Sequence, residues 1–589
     1  MSKTKKDVGA IARQSGVSFR VWAPFASSVS LTGDFNNWSV TPMTSEGDGY
    51  WFEDIEEAQP GQEYKYVITN GDRTLVKNDP RAMLITTLAG NSVVVDPEFD
   101  WGETEYTTPA PNLQVIYEMH IGTFNRPDDS SPGTFETAGQ KLDYLKDLGV
   151  TTIEIMPVAS MSMSREFWGY TPQYLYAVET LFGGRHQFME FIKAAHERGI
   201  GVILDVVYNH LGPGDLDIWQ FDGWNQDEKG GIYFYNDWRA KTPWGHTRPD
   251  YGRIEVRQYI LDNVRMWLTD FHLDGLRVDS TIFIRNAEGH NDDPSTDIAE
   301  GWTLLQKINE LAKKINPQSI VVAEDVGFNE YITKPQADGG AGFDAQWSIS
   351  YPRSLRNVLD ATNDSDRNFD DLCTDLNKYF NDSAYHKVIY SDSHDSAANG
   401  NARLSEEISP GNSSSVYARK RSLIASSIIL TAPGIPMLLQ GQEFMQGGSF
   451  SDWDALDWEK ASRFEGMVQA HKHLVALRKN LHGNTAGLSG QSFNIIHRDD
   501  QNKVLAYHRW QSGGPKDDVV VVINFANKLH DTYEMPFPNN GDWQVRFNSA
   551  WNGYSPDFKN VTVSGVTVNN NRSTLVLPPY STLILSQDS

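Results

Sequence analysis

A single cysteine, Cys373, stands in the 589 residues, so no internal disulfide can form and no cysteine-based zinc site can be built. It lies in a polar, helix-like stretch, DDLCTDLNKYF, without a neighbouring histidine, and reads as structural. Positive charge is also scarce: 51 Lys and Arg face 77 Asp and Glu, a formal charge of −26. Such a surface repels nucleic acid and anionic membranes, and no basic stripe offsets it. No apolar run approaches the length of a membrane span. The N-terminal MSKTKKDVGAIARQSG lacks the apolar core of a signal peptide, so a cytoplasmic protein is expected. Internal repeats and low-complexity tracts are missing. What remains, 39% apolar and 22% charged residues, is a globular chain long enough for several domains.

Against these absences stand four short apolar runs, each ending in carboxylates. VILDVVYNH carries Asp205, Asn209 and His210; DGLRVDS carries Asp274, Arg277 and Asp279; IVVAED carries Glu324; VIYSDSHDS carries His394 and Asp395. Short Val- and Ile-rich runs read as buried strands. A buried carboxylate is costly unless paired or used, so its repetition at strand ends points to one shared site.

The chain changes grammar twice. Residues 1–104 alternate apolar and polar positions between turns (VSFRVWAP, SVSLTGDFNNW, YKYVITNG), the pattern of a small β-sandwich. Over 105–482, the apolar runs QVIYEMHI, TTIEIMPV, GVILDVVY, DGLRVD, SIVVAED, KVIYSDS and IPMLLQG alternate with amphipathic segments such as AGQKLDYLKDLG and RHQFMEFIKAAHERG. Strand and helix taking turns imply a parallel sheet, and at this length an α/β (β/α)8 TIM barrel is the best fit. A loop excursion near 211–255, rich in Trp, Tyr, Asp and Gly, is too long for an ordinary barrel loop. Residues 483–589 return to alternation (KVLAYHRW, DDVVVVINFAN, STLVLPPYSTLIL), a C-terminal all-β sandwich.

Carboxylates without a nucleophilic cysteine or serine, or a phosphate loop, suggest acid/base and nucleophilic work on a neutral substrate. Glycoside cleavage with retention needs one carboxylate to attack and a second, protonated, to assist the leaving oxygen. Arg277 and Asp279, two apart on a strand, share a face, so the guanidinium would keep Asp279 ionised as a nucleophile requires. Glu324, longer and approached through apolar IVVA, suits a raised pKa and an acid role.

DVVYNH, GLRVDS, AED and SHD, in this order, resemble the four signature segments of the α-amylase family of glycoside hydrolases, family 13. The resemblance implies Asp279 as nucleophile, Glu324 as general acid/base and Asp395 as the carboxylate that steadies the transition state through sugar hydroxyls. It implies that Arg277 orients Asp279, that His210 and His394 bind hydroxyls of the glucosyl unit before the cut, and that Tyr170 in FWGY stacks on that sugar. Asp205 would brace Arg277. The substrate implied is an α-glucan: starch, glycogen or maltooligosaccharides. No cofactor is expected; the position of Asn209 carries calcium in some amylases, but abundant acids alone do not make such a site.

FRVWAPFASSVSLTGDFNNW looks like the starch-binding-type module (CBM48-like) found ahead of the barrel in branching enzymes, debranching enzymes and maltooligosyltrehalose trehalohydrolases. PGIPMLLQGQEF and the closing domain are similar to α-glucan branching enzymes. VVYNHLGPGD looks more like trehalohydrolases and amylases, and SHDS, with Ser396, departs from the SHDE of branching enzymes. The layout favours cleavage of an α-1,4-glucan with transfer to a sugar 6-hydroxyl. Hydrolysis by an amylase or trehalohydrolase type of enzyme is the alternative, and the intact Asp279, Glu324 and Asp395 argue against a glycan-binding protein on a dead barrel. Packing roles are expected for Trp22, Trp38, Trp51, Tyr66 and His120, and surface or capping roles for His186 and His196. Trp453 and Trp458 in FSDWDALDW read equally well as loop anchors or as a sugar platform.

Overall fold

The computed structural model describes residues 7–87, 90–128, 130–161, 168–212 and 216–588. The first six residues of the N-terminal stretch, Phe167 of FWGY and the PGD of VVYNHLGPGD lie outside them.

Eight parallel strands close into a barrel: β1 (Ile116–Met119), β2 (Thr152–Ile155), β3 (Gly201–Val206), β4 (Gly275–Val278), β5 (Ile320–Ala323), β6 (Ala345–Trp347), β7 (Lys387–Ile389) and β8 (Ile435–Leu439). Every residue of these strands is buried, because helices cover the outside while side chains fill the interior. Seven of the strands arise from the apolar runs noted above. The eighth, β6, has only the residues AQW and no aliphatic run; it holds its place by pairing with both β5 and β7. The helices show the expected stripe. In Gly184–Glu197 the buried residues Phe188, Met189, Phe191, Ile192 and Ala195 recur at helical spacing.

Where the strands begin, buried charges are answered by backbone. Asp274, just before β4, accepts the N–H of Val202 at 2.7 Å and meets His196 Nε2 at 2.8 Å. His196 is thus a half-buried partner of Asp274, stacked on Tyr106, and not a surface or capping group. Asp274 itself lies at the opposite end from the other signature carboxylates. Lys387, the first residue of β7, gives its ammonium to the carbonyls of Asp375 and Lys378. Arg478 reaches the carbonyls of Ala432 and Gly434 ahead of β8.

The N-terminal strands form two sheets, one built on Val17–Trp22 and Tyr50–Ile55, the other on Ser28–Gly33, Glu63–Asn70 and Arg73–Lys77. Phe19, Val21, Leu31, Tyr64, Tyr66 and Ile68 fill the space between them. Trp22 and Tyr66 are buried and Trp51 half-buried, but Trp38 is 42% exposed: it sits at a left-handed turn after the strand, where the in–out alternation has ended. One edge of this sandwich grips the excursion. Asn70 donates to the carbonyl of Asp222, Lys77 to that of Trp219, and the Phe25 N–H to the Asp222 carboxylate, while Phe25 stacks on Trp224 at 4.7 Å. The C-terminal domain is a six-stranded antiparallel sheet around Val504–Trp510, Val519–Asn524 and Ser581–Ser586, faced by the pair His530–Pro536 and Arg572–Leu577. No helix among the described residues is long and apolar enough to cross a membrane.

Candidate active site

Asp205 lies within β3, Asp279 one residue past β4 and Glu324 one residue past β5, so adjacent strands deliver three carboxylates to the same end of the barrel. Arg277, fully buried, stands between them. Its Nη1 is 2.6 Å from Asp205 Oδ2 and 2.8 Å from Asp279 Oδ1, and its Nη2 is 3.2 Å from Glu324 Oε2. Trp347 of β6 backs the guanidinium, with the ring centroid 4.4 Å from its central carbon. Asp205 also accepts the Tyr170 hydroxyl at 2.5 Å, which fixes the Tyr170 ring against His394 in a stack at 5.2 Å. Asp395 sits past the end of β7, exposed in the cleft, its Oδ1 accepting Asn399 Nδ2 at 2.7 Å.

The electrostatics divide the two central carboxylates. Burial pushes both up; Arg277 pulls both down. Asp279 receives the shorter guanidinium contact and an amide from Asn209 at 2.7 Å. Glu324 has the longer contact and the Ser280 N–H at 2.8 Å, and the neighbouring charge of Asp279 adds to burial, so its carboxyl is raised to about 7. Burial raises Asp205 as well, against the opposing pull of Arg277. His210 is lowered to about 4 by burial, leaving a neutral ring at physiological pH; its Nε2 is buried without a protein partner.

Asn209 uses both ends of its amide. The nitrogen bonds the Asp279 carboxylate and backbone oxygen, and Oδ1 faces His210 Nδ1 at 2.5 Å. This oxygen meets an imidazole, not an array of carboxylates, and no cluster of His, Cys, Asp and Glu suited to a metal occurs among the described residues.

The carboxylates open into a cleft of about 980 Å³ with aromatic walls on two sides. One wall is Trp168, Tyr170, His394 and Phe450, joined edge to face and by stacking. The other comes from the excursion: Trp244 stacks on His210 at 4.6 Å and meets Phe283 edge-on at 5.3 Å. Trp453 lines the cleft and is half exposed, whereas Trp458 is tied down by its N–H to the Phe124 carbonyl and by the rings of Phe124, Tyr144 and Phe444. Trp458 is thus a loop anchor, while Trp453 stands in the cleft wall. His120 is buried against Thr123 and held near 3 by burial and by the charge of His394, a packing residue. Sequence reasoning passed over Trp168, Trp244 and Phe450 on loops and Phe283 on the five-residue helix Thr281–Arg285, all in segments too short or irregular for periodicity to speak. It also passed over Glu118 and Glu154, whose signal was available: a carboxylate in the middle of an apolar strand.

With this geometry in place, comparison with known proteins gives a consistent picture. Residues 119–215 and 213–503 match the alpha amylase catalytic domain, 495–588 the alpha amylase C-terminal all-beta domain, and 7–82 carbohydrate-binding module 48, the isoamylase N-terminal domain. The chain is 28% identical to the 1,4-alpha-glucan branching enzyme GlgB of Corynebacterium glutamicum, over 92% of this chain and 75% of that one. It is 31% identical to the malto-oligosyltrehalose trehalohydrolase of Saccharolobus solfataricus, over 74% of this chain and 75% of that one. Among solved structures, the pullulanase of Anoxybacillus sp. LM18-11 complexed with maltotetraose superposes with a TM-score of 0.75 at 21% identity, covering 100% of this chain and 88% of that one, a likeness of fold. The catalytic-domain match spans well over half of the sequence, and the chain therefore belongs to the α-amylase family, glycoside hydrolase family 13.

Proposed function

We propose that this glycosidase or transglycosidase cleaves α-1,4-glucosidic bonds with retention, through a glycosyl ester on Asp279, and passes the glucan chain to a sugar 6-hydroxyl. The observation that carries the first part is the unequal sharing of Arg277. Asp279, held at 2.8 Å and braced by Asn209, is the better anion and attacks the anomeric carbon. Glu324, raised to about 7, arrives with a proton for the leaving oxygen and then, as a base, takes the proton of the acceptor hydroxyl. Asp395, exposed at the cleft floor, is placed to accept hydroxyls of the sugar that bears the developing charge, and Tyr170 to stack under it. Asp205 orients Arg277 and Tyr170 and takes no proton in the cycle.

The choice of acceptor rests on the whole-chain likeness to 1,4-alpha-glucan branching enzymes, which extends over 92% of the sequence in the Corynebacterium glutamicum relative. A second aromatic wall, at Trp244 and Phe283, gives an incoming glucan a surface to lie on while the ester waits. Hydrolysis is the second reading, favoured by VVYNH, by Ser396 in place of glutamate and by the trehalohydrolase relative. Incubation with amylose separates the two. New α-1,6 signals in the proton NMR spectrum without a rise in reducing ends support transfer; reducing ends without α-1,6 signals establish hydrolysis.

A further inference from the structure

Glu118 occupies the middle of β1 and is 1% exposed. Both of its oxygens go to one residue beyond β7: Oε2 accepts the backbone N–H of His394 at 3.0 Å, and Oε1 meets its Nδ1 at 2.5 Å. The ring is confined on its other sides by the stacked Tyr170 and by the edges of Trp168 and Phe450. With Nδ1 committed to Glu118, Nε2 is the nitrogen left for the cleft that His394 lines. Directly across the β1–β2 register from Glu118 stands Glu154, buried, with Oε2 unpartnered. Two adjacent carboxylates in a dry barrel cannot both be charged cheaply. Burial and then the charge of Glu118 push Glu154 well up, so it stays protonated.

We propose that Glu118 is a positioning residue for the reaction: it grips His394 at two points and keeps the ring as an Nδ1-anchored imidazolium whose Nε2–H is presented to the substrate. The surrounding charges agree with this assignment. Burial works against a charged ring, but Glu118 outweighs it and His394 is raised, with Arg277 lowering and Asp395 raising it further. The other titratable groups facing the pair are Glu154 from β2, Asp205 from β3, Tyr390 beyond β7, and His120 and Arg403, whose own positions are shifted by it. An imidazolium donates a stronger hydrogen bond to a sugar hydroxyl than a neutral ring. Its charge would oppose the cationic character of a glycosyl transition state, and Glu118 cancels that charge at contact distance.

The inference rests on the proposed reaction for its kinetic arm only. α-Glucosyl fluoride needs no proton from Glu324, so the alkaline limb of kcat/KM for glycosylation reports His394. Glu118→Gln should lower kcat/KM by about 10- to 100-fold, as loss of a ring's orienting carboxylate does elsewhere, and move that limb toward acid by about one pH unit or more. An unchanged limb, with only the melting temperature reduced, would overturn the assignment. The second arm needs no turnover: ¹⁵N spectra of histidine-labelled intact protein at pH 7, assigned by His394→Gln, should show both ring nitrogens of His394 protonated. A neutral His394 ring at pH 6 overturns the proposal whether or not Glu118→Gln folds, and whatever product the enzyme makes.

Discussion

Where the barrel strands begin, Lys387 and Arg478 give their protons to backbone carbonyls, and Asp274 receives a backbone N–H and His196. Where the strands end, one guanidinium is divided among Asp205, Asp279 and Glu324, and the last two also line an open cleft. Both ends carry ionisable side chains largely withdrawn from solvent. At the first end each charge is answered locally by groups that cannot leave, so the arrangement is finished by folding. At the second end the charges answer each other incompletely, and their remaining capacity faces the cleft. At the cleft end Asp205 Oδ1, Arg277 Nε and His210 Nε2 have no protein partner; at the other end Arg478 Nε is likewise unpartnered, but it faces no cleft. A buried charge indicates function when its partner is another side chain at a cavity, and structure when its partner is backbone.

The largest effect that would break this comparison is at Asp279. Asp279→Asn keeps the shape and the contact with Asn209 but cannot attack, so turnover should fall by about 10⁴-fold or more while glucan binding persists. Removal of a repelling buried carboxylate should leave the melting temperature unchanged or higher. A covalent sugar trapped on any other residue refutes the assignment.

Next in size is Glu324→Gln, expected to slow cleavage of amylose by about 10²- to 10⁴-fold and to slow formation of the ester from α-glucosyl fluoride much less. In the unaltered enzyme the proposed acid role needs the protonated form. Because burial raises Glu324 to about 7, activity on amylose should hold below that value and decline as pH rises through it. Equal losses on good and poor leaving groups would give Glu324 another task.

Trp244→Ala should matter less to bond cleavage and more to where the chain goes. Loss of one stacking surface should lower the ratio of transfer to hydrolysis by about tenfold, read as α-1,6 signals against reducing ends. An unchanged ratio would remove the second aromatic wall from acceptor binding.

The smallest effect on catalysis belongs to the other end of the barrel. Asp274→Asn should leave kcat/KM within about twofold and cost about 2–4 kcal/mol of stability, measured by denaturant unfolding, because the His196 contact and a charged acceptor for Val202 N–H are lost together. A large loss of activity with normal stability would erase the distinction between the two ends.

The sequence made the barrel legible because seven strands are short aliphatic runs spaced by amphipathic helices. β6 escaped because three residues, one of them glutamine, carry no periodicity; its position is fixed by neighbours. The carboxylate ends of β3, β4 and β5 were readable because they interrupt apolar runs, and parallel pairing of adjacent strands converts that pattern into proximity. Asp274 shares a segment with Asp279, yet the four residues of β4 separate them, and this carries it to the opposite end. Glu118 and Glu154 followed the same rule as the other carboxylates and were hidden only by lying mid-strand. Trp244 and Phe450 were illegible in principle: which wall a loop aromatic joins depends on contacts remote in sequence. Trp38 shows the converse, since the alternation that suggested packing ends one turn before it.

The grip of the N-terminal sandwich on residues 219–224 bears on how such proteins can be recombined. The segment held by Asn70, Lys77 and Phe25 continues into the one that presents Trp244 to the cleft. The module is therefore less an appendage than a foundation for the excursion. A chimera that exchanges the first hundred residues for those of a relative should need the donor's counterpart of 219–224 transplanted with them, so that the unit of inheritance is a sandwich edge plus a barrel loop.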